Sequence, residues 1–397
     1  MNPSNAAPDV VIVGAARTPN GRFMGALRSQ TAVDLGTAAI RGALGRAGIG
    51  AGEVDLVLMG TVLQAGLGQC PARQAAIGAG LGWNVPAWTV NRVCLSGLTA
   101  VIDAARMLRC GEASVAVAGG MESMSNTPHL LTGARSGYAY GAAELVDSLE
   151  HDGLSDAWSH ESMGLDTDRR TAEYPASRAE QDAFAARSHR LAAAARESGL
   201  FDAEVVGVTV RERKAEVVVD RDEGIRPGTT PEILAGLRPA FTPEGSLTAG
   251  NASQLSDGGA AVVLTTRATA AARRWPVLAT VRAAGQVAGP SPALAPQPAN
   301  ALRSALIRQG WTVDDLDLVE INEAFAAVAV HAARQLALPT AKLNIHGGAI
   351  ALGHPIGQSG ARLVAHAAHE LRRRGTGRAA VALCGGTGQG DALLLEA

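Results

Sequence analysis

Lysine is almost missing from this chain: of 35 basic residues only Lys214 and Lys342 are lysines, and the rest are arginines. Lys214 sits in the charge run RERK and Lys342 in a loop-like stretch, so neither offers the desolvated amine that Schiff-base chemistry needs. No GxxxxGK[ST] string occurs, which argues against a Walker-type nucleotide site. Cysteine is scarce too, with four residues at 70, 94, 110 and 384, no CxxC, and no His or Cys beside them at metal-ligand spacing. That pattern predicts free thiols in a reducing compartment, with neither a disulfide framework nor a metal site. No uninterrupted apolar stretch reaches about 18 residues, and the opening MNPSNAAPDV lacks the basic start and apolar run of a targeting peptide. With 37 acidic against 35 basic residues, a formal charge of −2 gives no electrostatic case for nucleic acid or an anionic membrane. The expectation is a soluble cytoplasmic protein whose partners are small molecules and further copies of itself.

What the chain does have is length and alternation. Its 397 residues exceed the needs of one small domain. Apolar strings of strand type alternate with alanine-rich helical strings, the pattern of an α/β layered fold with buried strands. Val10 to Val13, Leu56 to Met59, Thr89 to Val90 and Val115 to Ala118 read as strands, and Ala32 to Ala47 and Ser96 to Arg109 as helices. The second helix puts Leu98, Val101, Ile102, Ala105 and Leu108 on one face.

The same order recurs near the C-terminus. VDLVLMG (54–60) pairs with LDLVEIN (316–322), ASVAVAGG (113–120) with RAAVALCGG (378–386), and AAVVLTT (260–266) with ALLLEA (392–397). An internal duplication explains this. The expected organisation is an N-terminal core half over 1–121, completed by a strand and helix in 253–274, and a C-terminal core half over 275–397. Between them, 122–252 form an inserted loop domain with one clear amphipathic helix over 180–199. So long an insertion is usually functional, as a lid, a binding surface or an interface.

Four residues stand out for chemistry. Cys94, in NRVCLSG, ends a strand and opens a helix, where backbone N–H groups and the helix dipole stabilise thiolate and lower the pKa; a buried structural cysteine is the competing reading. Cys384 occupies the equivalent place in the second half, before the glycine-rich GGTGQG, and could shuttle a proton as a thiol and thiolate pair. His354 lies between glycines and Pro355 in GGAIALGHPIGQSGAR, a setting that aims its ring. Asn322, beside Glu323 in INEAF, either caps the following helix or lends its amide to a water or oxyanion. All four fall at strand ends or in glycine-rich loops, where open α/β sheets place ligands. Cys70 and Cys110 lack such a setting and are assigned to packing.

In that order and spacing, NRVCLSG, INEAF, GGAIALGHPIGQSGAR and LCGGTGQG resemble the four active-site blocks of the thiolases. VVIVGAARTP, CPARQAA, AGGMESMS, GLRPAF and LTAGNAS resemble thiolase segments as well, so the likeness spans nearly the whole chain and is nearest to the acetyl-CoA acetyltransferase branch. The resemblance implies an α/β fold of duplicated α/β/α halves forming a five-layered α/β/α/β/α core. It implies reversible condensation of two acetyl-CoA to acetoacetyl-CoA by a ping-pong mechanism, with acyl-CoA as substrate and no metal or other cofactor. Cys94 would carry the acyl group and Cys384 would deprotonate acetyl-CoA at its α-carbon. His354 would activate Cys94 and, with a water on Asn322, stabilise the enolate; the N–H groups of Cys94 and Gly386 would form a second oxyanion hole. Arg226 would lie against adenine, Leu237, Ala249 and Ser253 along the pantetheine, and Met163 and Phe325 around the acyl group.

The likeness has departures. Leu95 follows the nucleophile where many thiolases have a small residue, and Ser162 precedes Met163 where acetoacetyl-specific members often show histidine. Ile233 replaces a polar adenosine-side residue, and Gln254 and Thr387 stand where glycine is frequent. Ser162 leaves room for longer chains, so a degradative 3-ketoacyl-CoA thiolase is the nearest alternative. A non-catalytic thiolase-like lipid carrier should have lost one of the reactive residues, and a decarboxylating ketoacyl synthase should have a second histidine where Cys384 stands. HLLTGARSGYAYG resembles the loop that joins thiolase dimers into tetramers, which implies a homo-oligomer, dimer or tetramer.

Overall fold

The structure, a computed structural model, describes residues 8–212 and 215–397, so Lys214 and the initial residues through Ala7 lie outside the described residues. Nine strands build the core. The first half supplies β1 (Val10–Arg17), β2 (Leu56–Gly60), β3 (Ala87–Val90), β4 (Val115–Ser123) and β5 (Ser256–Thr266). The second supplies β6 (Ala279–Ala288), β7 (Leu318–Ile321), β8 (Arg378–Gly385) and β9 (Gln389–Glu396). They run in the order β7-β8-β9-β6-β1-β5-β4-β2-β3.

The pairing repeats between the halves. β2 is parallel to β4 as β7 is to β8, and β4 is antiparallel to β5 as β8 is to β9. β5 then meets β1 as β9 meets β6, both antiparallel. The counterpart of the β2–β3 pair shrinks in the second half to a single parallel bridge, Val319 to Leu343. The halves join where β1 and β6 pair over Val10–Val281, Val11–Thr280 and Ile12–Ala279 alone.

Seven helices complete the layers: α1 (Ala32–Ala47), α2 (Pro71–Gly78), α3 (Ser96–Arg109), α4 (Arg178–Glu197), α5 (Gln297–Gln309), α6 (Ala326–Gln335) and α7 (Ser359–Arg374). α1 and α2 cover the outer face of the first half, α5 and α6 that of the second, and α3 and α7 lie between the two sheets. The result is the five-layered α/β/α/β/α core. Both middle helices are buried nearly all round, α3 from Ser96 to Ala105 apart from Asp103 and α7 from Ser359 to Ala368, because a sheet covers each side of them. Their small residues let those sheets close in. At the surface, capping fixes the ends: Thr31 and Asp34 form a capping box at α1, which stops at left-handed Gly48, and Ser177 and Glu180 do the same at the start of α4.

One contact between the halves positions the site. The loop of the second half that precedes α7 enters the first half so deeply that the Gly357 carbonyl sits over Gly97 and Gly120. A Cβ on Gly120 would lie 2.0 Å from that oxygen, and one on Gly97 2.7 Å. Gly120→Ala is therefore expected to destabilise the fold by about 1–3 kcal/mol, the usual cost of overpacking. Denaturant unfolding checks this, and a midpoint equal to wild type would contradict it.

Candidate active site

Cys94 sits in a sharp turn between β3 and α3. Val93, just before it, adopts φ 51°, a left-handed value that is costly for a β-branched residue. The turn is held by the Arg92 N–H donating to Ser96 Oγ at 2.9 Å, and by the Ser96 hydroxyl donating to the Val93 carbonyl at 2.6 Å. Arg92 is itself anchored across the halves, on Asp391 and Gln389, at 2.8 Å each. Leu95 is fully buried and fills the space above Gly385, where a Cβ would lie 2.6 Å from Leu95 Cγ.

The expected lowering of the Cys94 pKa does not hold. Burial pushes the thiol up to about 11 and the Glu122 carboxylate adds to this, outweighing the N–H groups of Gly386 and of Cys94 itself that bond to the sulfur. Cys94 therefore rests as a thiol at neutral pH. Cys384, near the end of β8, is buried among Leu294, Ala324 and Val328 with Met163 and Phe325 packed against them. Burial raises its thiol far above the ordinary range, and Cys94 raises it further.

His354 is buried and hydrogen-bonded on three sides. Its N–H donates to the Gln254 carbonyl at 3.1 Å, Nδ1 meets Ser359 Oγ at 2.6 Å, and Nε2 meets Asn322 Nδ2 at 3.3 Å. Burial, with the Arg362 cation behind it, pushes the ring down to about 3, so it is neutral. Asn322 follows β7 and does not cap a helix, since α6 starts only at Ala326 with Phe325 at its N-cap. Its side chain turns to His354 instead, and its Oδ1 is buried with no partner among the described residues. Glu323 is structural: its carboxylate accepts from Ser188 Oγ, Asn344 Nδ2 and the Ile350 N–H at 2.7–3.0 Å, tying the Asn322 segment to α4 and to the loop before His354.

Cys94 thus meets Gly386 and Cys384 of the other half, and His354, paired with Asn322, is two residues from Ile356 in the cluster that packs on Cys94. A Cβ on Gly386 would lie 3.2 Å from Val93 Cγ1 and 3.5 Å from Met163 Sδ, so Met163 borders the same place. Phe325 packs edge-to-face on Phe241 with ring centroids 6.1 Å apart. Ser253 donates its N–H to the Ala324 carbonyl at 3.0 Å, beside Phe325. Farther out, Leu237 lies against Gly250, next to Ala249, and Arg226 donates its N–H to His189 Nδ1 at 3.2 Å. Exposure falls along this series: Arg226, Leu237 and Ala249 are exposed, Ser253, Phe325 and Met163 half-buried, and Cys384 buried.

A cavity of about 930 Å³ opens on another side, bordered by Val93, Met163, Gly386 and Thr387. Arg226, Leu237, Ala249 and Ser253 do not line it. Cys70 and Cys110 are exposed, not packed as expected, because they sit at the N-cap of α2 and the C-cap of α3, where the chain emerges from the core. Among the described residues no group of three or more His, Cys, Asp or Glu side chains is placed to hold a metal ion, and no helix is long and apolar enough to cross a membrane.

Residues 10–268 match the family described as thiolase, N-terminal domain, and residues 275–397 that described as thiolase, C-terminal domain. The chain belongs to the thiolase family. It is 53% identical over 387 residues to a probable acetyl-CoA acetyltransferase of Mycolicibacterium smegmatis, covering 97% of this chain and 100% of that protein. It is 50% identical to an acetyl-CoA acetyltransferase of Pseudomonas aeruginosa, covering 98% and 99%. Among solved structures, that of the Bacillus anthracis acetyl-CoA acetyltransferase matches with a TM-score of 0.95 at 40% identity, over 99% of this chain and 100% of that one. This thiolase is accordingly an acyltransferase.

The departures within the thiolase pattern have local physical accounts. Ser162 caps the short helix Met163–Arg169, its Oγ accepting the Leu165 N–H at 3.2 Å. Gln254 ties the insertion to the histidine loop, donating from Nε2 to the carbonyls of Gly224 at 3.1 Å and Ile350 at 3.0 Å. Thr387 takes φ 70°, a strained value for a non-glycine residue, and accepts from Gln389 Nε2 at 2.8 Å. Ile233 is 59% exposed, leaving an apolar side chain on the surface near Leu237. Sequence reasoning missed Glu122, Ser359 and Arg362, all buried; they lie within AGGMESMS and GGAIALGHPIGQSGAR but were not singled out, because each acts through partners supplied by the folded core.

Proposed function

We propose that this thiolase is an acetyl-CoA C-acetyltransferase, condensing two acetyl-CoA to acetoacetyl-CoA and CoA in a reversible ping-pong cycle through an acyl-Cys94. The observation that carries the proposal is the meeting of Cys94 and Cys384 from opposite halves; neutral His354, paired with Asn322, lies two residues before Ile356 of the cluster that packs on Cys94.

In the first half-reaction the Cys94 sulfur attacks the thioester while its proton moves to His354 Nε2, and Cys384 gives its proton to the departing CoA sulfur. This leaves a thiolate at Cys384 and an imidazolium at His354, which offset one another's charge. Acylation also takes up the Cys94 sulfur beside Cys384, and the thiolate that the first step leaves at Cys384 is the base for the second. That dependence supports the ping-pong order. In the second half-reaction Cys384 takes the α-proton of another acetyl-CoA. The enolate oxygen is met by His354 and a water on Asn322, whose buried Oδ1 has no partner among the described residues. The carbanion attacks the acyl group, and the Cys94 sulfur leaves and recovers its proton from His354. The Gly386 and Cys94 N–H groups, already directed at this sulfur, suit an oxyanion hole for the tetrahedral intermediate.

The inward fall in exposure from Arg226 to Met163 supports the coenzyme A path, with Arg226 at the adenine end and Leu237, Ala249 and Ser253 along the pantetheine. Removal of the ketoacyl chain's length limit is favoured by a different observation, the cavity beside Met163 and Gly386, whose volume falls within the range of small-molecule sites. A 3-ketoacyl-CoA thiolase for longer chains is thus the second reading. Thiolysis of four-carbon and eight-carbon 3-ketoacyl-CoA separates them: the proposal expects kcat/KM at least about tenfold higher for the shorter substrate, roughly 1.4 kcal/mol of discrimination. A preference for the longer one would establish the alternative. The exposed edge strand β3 with Trp88, and the exposed Leu131, Tyr138 and Tyr140 of the insertion, support assembly as a dimer or tetramer.

A further inference from the structure

Glu122 lies in β4, fully buried, and is used by no step of the cycle above. Its carboxylate accepts four hydrogen bonds: from Thr61 Oγ1 at 3.0 Å, the Val62 N–H at 3.0 Å, the Leu63 N–H at 3.1 Å and the Gly357 N–H at 2.8 Å. The first three donors belong to the segment that follows β2. Val62 and Leu63 pack with Met124, Leu149 and Ile356 to form the wall against which Cys94 sits. The fourth donor comes from the second half, three residues past His354. The fit at Gly357 is close, since a Cβ there would stand 2.7 Å from Glu122 Oε2 and 2.8 Å from Thr61 Cα.

We propose that Glu122 is a positioning residue for acyl transfer: one buried carboxylate clamps the Cys94 wall to the His354 loop and thereby sets the spacing of nucleophile and base. The inference rests on the thiolase roles given above to Cys94 and His354. Only an ionised carboxylate suits the place. It offers acceptor sites to all four donors, whereas an amide would turn an N–H against one or two of them. Burial works against ionisation and the four donors work for it, leaving Glu122 at about 7. The charge has a second effect, because it raises Cys94. The titratable groups facing Cys94 are Glu122 on β4 and Cys384 on β8, and His354 lies two residues before Ile356 of the wall against Cys94.

Glu122→Gln should accordingly change two separate readouts. Misplacement of the reacting groups is expected to lower kcat for acetoacetyl-CoA thiolysis by about tenfold to a hundredfold, with KM for CoA within about twofold of wild type. Loss of the negative charge is expected to move the pH midpoint of Cys94 alkylation by iodoacetamide to lower pH. A purely structural role would lower thermal stability and leave both unchanged. Thr61→Val, which removes one donor and keeps the charge, is a milder companion: kcat falls by about twofold to fivefold and the alkylation midpoint stays in place. In folded Glu122→Gln, or in Thr61→Val should the first variant not fold, a wild-type kcat overturns the clamp. A wild-type protein with no thiolysis at all would sink the functional reading instead, while alkylation would still report the effect of Glu122 on Cys94.

Discussion

Cys94→Ala is expected to lose acetoacetyl-CoA thiolysis by about four orders of magnitude or more, the scale seen when a covalent nucleophile is removed. No other thiol can take over. Cys384 is buried in an apolar cluster, and Cys70 and Cys110 are exposed at helix ends. The fold should survive, because Cys94 is only half-buried and the turn that presents it is held by Asn91, Arg92 and Ser96. Truncating one small side chain there costs on the order of 1 kcal/mol. The expected result is a protein that melts near the wild-type temperature and does not turn over. Assaying thiolysis alongside thermal unfolding checks both halves of this, and a variant that keeps a near-wild-type rate would remove Cys94 from the mechanism.

Cys384→Ala should divide the reaction. Its thiol is the group proposed to accept the α-proton, so condensation and solvent exchange of the acetyl-CoA α-protons are both expected to fall by about a thousandfold or more, within the range for losing a general acid–base group. Formation of the acyl-enzyme should persist, slowed by about tenfold for want of the proton that Cys384 gives to the departing CoA. The two cysteines do not substitute for each other because their surroundings differ. Cys94 lies at a partly open turn with two N–H groups on its sulfur, whereas Cys384 lies in an apolar cluster with Leu294, Ala324 and Val328. Single-turnover acylation and deuterium exchange separate the two steps. Equal loss of both would mean that Cys384 acts only through structure.

Much of the architecture was legible because local signals and the global fold agree. α1 and α3 span the residues that read as helices in the sequence, Ala32–Ala47 and Ser96–Arg109. The duplicated apolar strings became strands with matching partners in each half. The site was legible where a side chain sits at a strand end or beside glycine, as with Cys94, His354 and Cys384. It was not legible where the cause lies across the fold. The helix end near Cys94 pointed to a lowered pKa, but the burial that reverses it comes from Val62, Leu63 and Ile356, which no spacing in NRVCLSG reveals. Asn322 reads equally well as a cap until β7 and the late start of α6 turn it to His354. Glu122 carries no catalytic signature at all. Its fourth hydrogen bond joins residues 235 positions apart, and only the interlocking of the two halves brings them together.

The central claim, that acyl groups pass through Cys94 and that Cys384 acts on the second substrate, is tested most directly by locating the acetyl group. Cys384→Ala incubated with labelled acetyl-CoA, quenched in acid and digested should carry the label on the peptide containing Cys94, close to one acetyl per chain, and none on those containing Cys70 or Cys110. The same experiment with Cys94→Ala should leave the protein unlabelled. Label on another residue, or no acyl-enzyme in Cys384→Ala despite an active wild type, would contradict the account.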